Sequence, residues 1–191
     1  MNEESGSSPI DITPFAGGTP DPAPMAPVDT RPAVDVLDGP LDEATVQRFR
    51  TRLFSTVLEL ERGREWLSSP MASGLKRGMA LWALGSHADA LPILEEHADN
   101  TAIKTCISRS LIELGRYDEA ENRLTDRATS PQQAAMYLQS KARRGNIEDL
   151  RAALEESRAI LPPADVRFFE GRIFELGFDS QDAIACYDEA L

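Results

Sequence analysis

Cysteine is scarce: Cys106 and Cys186 are the only two in 191 residues. A secreted domain stapled by disulfides needs more of them, placed in loops. These two fall inside predicted helices and read as small buried thiols. Aromatic residues make up only 6% of the chain, while Ala and Leu are plentiful, which favours helix over sheet. No stretch approaches the ~18 apolar residues that a membrane span requires. The N-terminal sequence MNEESGSSPID is acidic and has no apolar h-region, so it is no secretion signal, and the compartment expected is the cytoplasm. Bases are in short supply as well: 20 Lys and Arg face 32 Asp and Glu, for a net charge of −12. A chain of that sign repels phosphate, so neither nucleic acid nor an anionic membrane is an expected partner.

The groupings that carry catalysis are missing too. His87 and His97 have no cysteine beside them in sequence, and His87 falls at a turn position that suits an aromatic ring. There is no G-x-G-x-x-G, Walker-type loop, H-E-x-x-H or G-x-S-x-G. Glu95-Glu96 and Glu155-Glu156 read as solvated helix faces. The expectation is a protein that is not an enzyme and that carries no metal and no cofactor.

Proline is unevenly spread, with eight of 13 at or before Pro40. Residues 1–40 also hold seven acids against one base, Arg31. The segment GGTPDPAPMAPVDTRP has no hydrophobic period and too little apolar surface to offset the entropy of ordering. Residues 1–37 therefore read as a disordered, acidic, Pro-rich tail, a solvated spacer with polyproline-like stretches.

From residue 38 the composition changes. Gly39 or Asp38 is a candidate cap, Pro40 suits a first helical position, and Asp42 and Glu43 suit the positive end of a helix dipole. Val46, Phe49, Leu53, Val57 and Leu60 recur at helical spacing, which predicts one helix ended or loosened by Gly63. Residues 38–69 are thus expected to form an N-terminal packing or capping helix.

Beyond it the punctuation becomes regular. Gly85, Gly115, Gly145 and Gly177 can each end a helix, and their spacings are 30, 30 and 32. Ser69-Pro70 and Ser130-Pro131 each place a capping hydroxyl before a proline, Gln133 would complete a capping box with Ser130, and Asn100 and Asn146 are further caps. A period of this length marks a stacked repeat array. Each unit reads as two short helices around its glycine. In the second unit, Ile103, Ile107, Leu111 and Leu114 form one apolar face and Tyr117, Ala120 and Leu124 the other. A pair this small cannot cover its own apolar faces and must stack on its neighbours.

Unit one supplies Gly78, Leu81, Gly85, His87, Ala90 and Leu94, and unit two supplies Ser108, Leu111, Gly115, Tyr117, Ala120 and Leu124. Unit three keeps Gly145, Ile147, Leu154 and Pro162, but has Leu150 in place of the Ala and Lys141 where a bulky apolar residue belongs. Unit four has Gly171, Phe174, Ala183, Tyr187 and Ala190, with Gly177 displaced by one. In this pattern the chain resembles the tetratricopeptide repeat over residues 70–191. The resemblance implies an all-α fold, an α-α superhelix built as a solenoid of antiparallel helix pairs, with Pro92 bending one second helix without breaking it.

The same resemblance implies a groove lined by the first helix of each unit, where a peptide or helix of another protein binds. Its groove positions fall on Leu75, Met79 and Trp82, then on Thr105, Arg109 and Ile112, then on Ala135, Gln139 and Arg143, and last on Phe168, Arg172 and Glu175. Three arginines on one wall suit carboxylates, and each also has the plainer reading of a solvated or internally paired side chain. Opposite charge on one chain raises a fold-back of the acidic tail onto this wall, against the reading of a solvated spacer. The sequence stops in IACYDEAL, within an expected second helix. The array is therefore expected either to continue in a longer protein or to pair with a second copy through its C-terminal repeat. The functional expectation is a cytoplasmic interaction scaffold. The alternatives are a docking or regulatory segment of a larger enzyme or transcription-associated protein, and a chaperone for a secreted protein.

Overall fold

A computed structural model of the chain describes residues 32–191; the expected tail over residues 1–31, and with it any fold-back, lies outside the described residues. Among the described residues there are eleven helices and no strand. The first is a short 3-10 helix, Ala33–Asp38. Ten α-helices follow: α1 (Glu43–Leu53), α2 (Val57–Ser68), α3 (Gly74–Ala83), α4 (His87–Glu95), α5 (Thr101–Glu113), α6 (Tyr117–Arg123), α7 (Pro131–Arg144), α8 (Ile147–Ser157), α9 (Pro163–Leu176) and α10 (Ser180–Ala190).

The start of this region differs from the sequence reading in three respects. Residues 33–37, grouped there with the tail, are ordered in the 3-10 helix, because Ala33 and Val34 are buried against the core that α1 and α3 share. The cap of α1 is neither Gly39 nor Asp38: the Asp42 carboxylate accepts from the Thr45 amide at 2.7 Å. Residues 38–69 form two α-helices, not one. Thr56 stops the run, its hydroxyl accepting from the Glu59 amide at 3.1 Å to begin α2, and Val57 is left 74% exposed. Gly63 ends nothing. It lies within α2, where an added Cβ would sit 2.5 Å from Leu53 Cδ1, so glycine is what lets α2 close on the end of α1.

From α3 onward each helix packs on the next in chain order. The turns after α3, α5 and α7 each place a glycine in the left-handed region, with φ of 83°, 75° and 75° at Gly85, Gly115 and Gly145. Only glycine takes that conformation without a steric penalty. In the fourth pair Gly177 has φ −81° and the left-handed residue is Phe178, at 62°. Asn100, Ser130 and Asn146 cap α5, α7 and α8 through their side chains. Gln133 does not return to the Ser130 amide; its Oε1 accepts from the Asp126 amide at 3.0 Å and fastens the preceding loop instead. Ser69 closes α2 and does not open α3, whose first residue is Gly74.

Small residues set the distance between partners. A Cβ at Gly78 would lie 2.8 Å from Ile93 Cγ2, and one at Gly171 would lie 2.6 Å from the Tyr187 ring, so α3 meets α4 and α9 meets α10 at backbone range. Ala90 and Ala120 are fully buried, and Leu150 fills the corresponding place in the third pair. Each helix packs on the next, and α1 also packs on α5, α5 on α7 and α7 on α9. The core falls into two clusters. One runs from the 3-10 helix through α6 and reaches Met136 of α7; the other joins α7, α8 and α9, and Tyr137 touches both.

Candidate functional site: a cleft along α1, α5, α7 and α9

Successive helices that pack side by side leave a trough along the face they share. Here the trough is a cleft of about 1120 Å³, open along one side. Its floor is made by buried small and apolar side chains, among them Val46 on α1, Ala102 and Cys106 on α5 and Met136 on α7, and Ala135 on α7 and the exposed Phe168 on α9 line it as well. Along it are four arginines, one from each helix: Arg50, Arg109, Arg143 and Arg172.

Of the groove positions named from the sequence, Trp82, Thr105, Arg109, Ala135, Gln139, Arg143, Phe168, Arg172 and Glu175 line this cleft. Three others do not. Met79 is 0% exposed and Ile112 is 1% exposed, both inside the larger core cluster, and Leu75 packs partly buried against the same cluster. Ile112 is on the core side of α5, and for Met79 and Leu75 the reason lies in α3, which is packed by the 3-10 helix, α2 and α4. The wall that α3 was expected to provide comes from α1, through Glu43, Val46, Gln47 and Arg50. Those four positions follow helical spacing, so the stripe was readable in sequence. Glu43, Gln47 and Arg50 are polar, so they stand outside the apolar stripe that marks the segment as a packing helix.

The arginines are held in different ways. Arg50 lies over the Trp82 ring, 5.4 Å from its centre, and has no carboxylate partner among the described residues. Arg109 and Arg143 share Glu113, at 3.4 and 3.1 Å, across the α5–α7 junction. Arg172 pairs with Glu175 at 2.5 Å, and the Tyr187 hydroxyl donates to the same carboxylate at 2.6 Å. That hydrogen bond, with Arg172 beside it, holds the Glu175 carboxyl below the usual range, while burial and then the Glu175 contact push the Tyr187 phenol up. Phe168 is 46% exposed and stands edge-on to Phe169, 5.3 Å between centroids, with Tyr187 at 5.7 Å on the other side. Two aromatic contacts fix this exposed ring in place.

Two further groups were singled out for their chemistry. Burial pushes the Cys106 thiol up to about 12, so at the cleft floor it is a neutral, apolar surface. His87, the first residue of α4, has Nδ1 3.3 Å from Ser110 Oγ, and burial lowers its pKa below 6.5 although Glu113 works the other way. No cluster of three metal-ligating side chains occurs among the described residues, and no described helix is long and apolar enough to cross a membrane. The surface thus offers apolar contact, hydrogen bonding from Gln47, Thr105 and Gln139, and guanidinium groups for acceptors. No family profile, no curated protein and no solved structure matches this chain.

Proposed function

We propose that this protein is a non-catalytic interaction scaffold whose cleft along α1, α5, α7 and α9 receives a peptide or helix of another protein. In this reading the four helix pairs are tetratricopeptide-like units in file, and α1 stands in for the missing first wall. The observation that carries it is the cleft itself. At about 1120 Å³ it exceeds the ~300–1,000 Å³ of drug-sized ligand pockets. It runs across four helices, with an apolar floor and polar sides, the division found in protein interfaces. Each wall helix contributes a side chain at the place where an elongated ligand would lie, and the exposed, braced Phe168 ring is of the kind that anchors interfaces.

The test is affinity capture with the full-length chain, repeated with Arg109, Arg143 and Arg172 all changed to Glu. The expected outcome is loss of the captured partner with the thermal melting midpoint kept within a few degrees. Capture that is unchanged by the triple substitution would mean that this face is not the binding surface.

A further inference from the structure

The chain as a whole is strongly acidic, while the cleft is balanced: four arginines face Glu43, Asp165 and Glu175 in its lining, and Glu113 pairs with two of the arginines. A strip with four arginines on an otherwise acidic molecule is where an acidic ligand meets the least repulsion. Two of the arginines are also held loosely. Arg109 and Arg143 are 41% and 48% exposed and divide one acid, Glu113, between them. Ion pairs this exposed contribute little to the stability of the fold, so a better-placed carboxylate displaces Glu113 at small cost. A guanidinium group makes two parallel hydrogen bonds to a carboxylate when geometry allows. Arg50 has cation–π contact with Trp82 and lines the cleft. Between these charges the floor is apolar, at Val46, Ala102 and Met136.

We propose that the occupant of the cleft is an acidic amphipathic segment of a partner protein. Its carboxylates engage Arg50, Arg109 and Arg143, its apolar side chains rest on the floor between Trp82 and Met136, and Glu113 is the internal counter-ion it replaces. This rests on the cleft being the binding surface, and supplies the partner's chemistry.

The experiment is a random-peptide display library panned on the full-length chain, with counter-selection against a variant carrying Arg50→Gln and Arg143→Gln. Enriched peptides are then titrated into the Trp66→Phe variant, where Trp82 is the only remaining tryptophan. The expected result is enrichment of Asp and Glu beside apolar residues, a shift in Trp82 emission on binding, and affinity that falls roughly tenfold as added salt screens the charges. Glu113→Gln should tighten binding of the same peptides about threefold or more, since it frees two arginines. Neutral or basic peptides that shift Trp82 and ignore Glu113→Gln would overturn the acidic-partner inference while leaving the cleft as the binding surface. A library that yields no peptide dependent on the cleft would overturn both.

Discussion

The left-handed residue at each hairpin turn is where backbone sterics act most directly. Three turns put glycine there, and the fourth puts Phe178, 93% exposed, with Gly177 one place early in an ordinary conformation. An L-residue in that region costs about 1–2 kcal/mol, part of which glycine returns as extra freedom in the unfolded chain. Phe178→Gly should therefore stabilise the protein by about 0.5–1 kcal/mol, read from the denaturant midpoint. Loss of stability would mean that the ring contributes more than its exposure implies. The offset of one residue was legible in the sequence; that it transfers the left-handed turn to a phenylalanine was not, because spacing alone does not say which of two neighbours takes φ above zero. His87 occupies the place that Tyr117 holds in the next unit. Its folded pKa lies below 6.5 through burial, with Glu113 opposing and Arg109 assisting. The unfolded chain then binds more protons than the folded one just below pH 6.5, so stability is full above that pH and is lost as pH falls toward the folded value. His87→Tyr should flatten this part of the stability–pH profile, measured as melting midpoints across mildly acidic pH; an unchanged slope would place the proton uptake elsewhere.

Between elements, the junction of α6 with α7 decides how the two halves of the core meet. Lys141 stands where the repeat pattern asks for an apolar side chain, and the structure gives the reason. Its ammonium meets Glu121 Oε2 at 2.9 Å and lies 5.0 Å from the centre of the Tyr137 ring. The fully buried Ser140 hydroxyl donates to the other Glu121 oxygen at 2.9 Å, and Arg144 joins both Glu121 and Asp118. Burial lowers the Lys141 pKa, but the hydrogen bond and charge of Glu121 outweigh it and hold the ammonium protonated. Removing Glu121 strands a buried hydroxyl and a largely buried ammonium together. Glu121→Ala should cost about 1–3 kcal/mol, and Glu121→Gln, which keeps the acceptor, clearly less. Equal losses by equilibrium denaturation would show that packing, not polar satisfaction, sets the junction. A single sequence displays Lys141 as a mismatch because its partner sits 20 residues earlier on another helix. Caps were easier to read: Asn100, Ser130 and Asn146 act on amides two or three residues ahead. Ser69 shows the limit of that reasoning, since a serine that can open one helix can also close the one before it.

At the scale of the whole molecule, the periodic part of the sequence carried most of the fold. Four helix pairs over 70–191 were visible from glycine spacing and apolar faces, since each unit solves the same local packing problem. Segment 32–69 was read less well, because nothing there repeats. The 3-10 helix is ordered by burial of Ala33 and Val34 in a core assembled from later residues. The same contrast governs which of the expected groove positions line the cleft. Thr105 and Arg109 on α5 and the expected positions on α7 and α9 line the cleft, while Ile112 on the core side of α5, and Met79 and Leu75 on α3, which is covered by elements outside the repeat, do not. The central claim is that the cleft, and not the outer face, meets the partner. Its most direct test is photo-crosslinking in cells, with a photoreactive amino acid placed either at Gln139 in the cleft or at Glu156, exposed on α8. The account expects a discrete adduct of higher mass from Gln139 that the Arg109, Arg143 and Arg172 to Glu variant loses, and none from Glu156. The same adduct from Glu156, or one from Gln139 that survives the triple substitution, would contradict it.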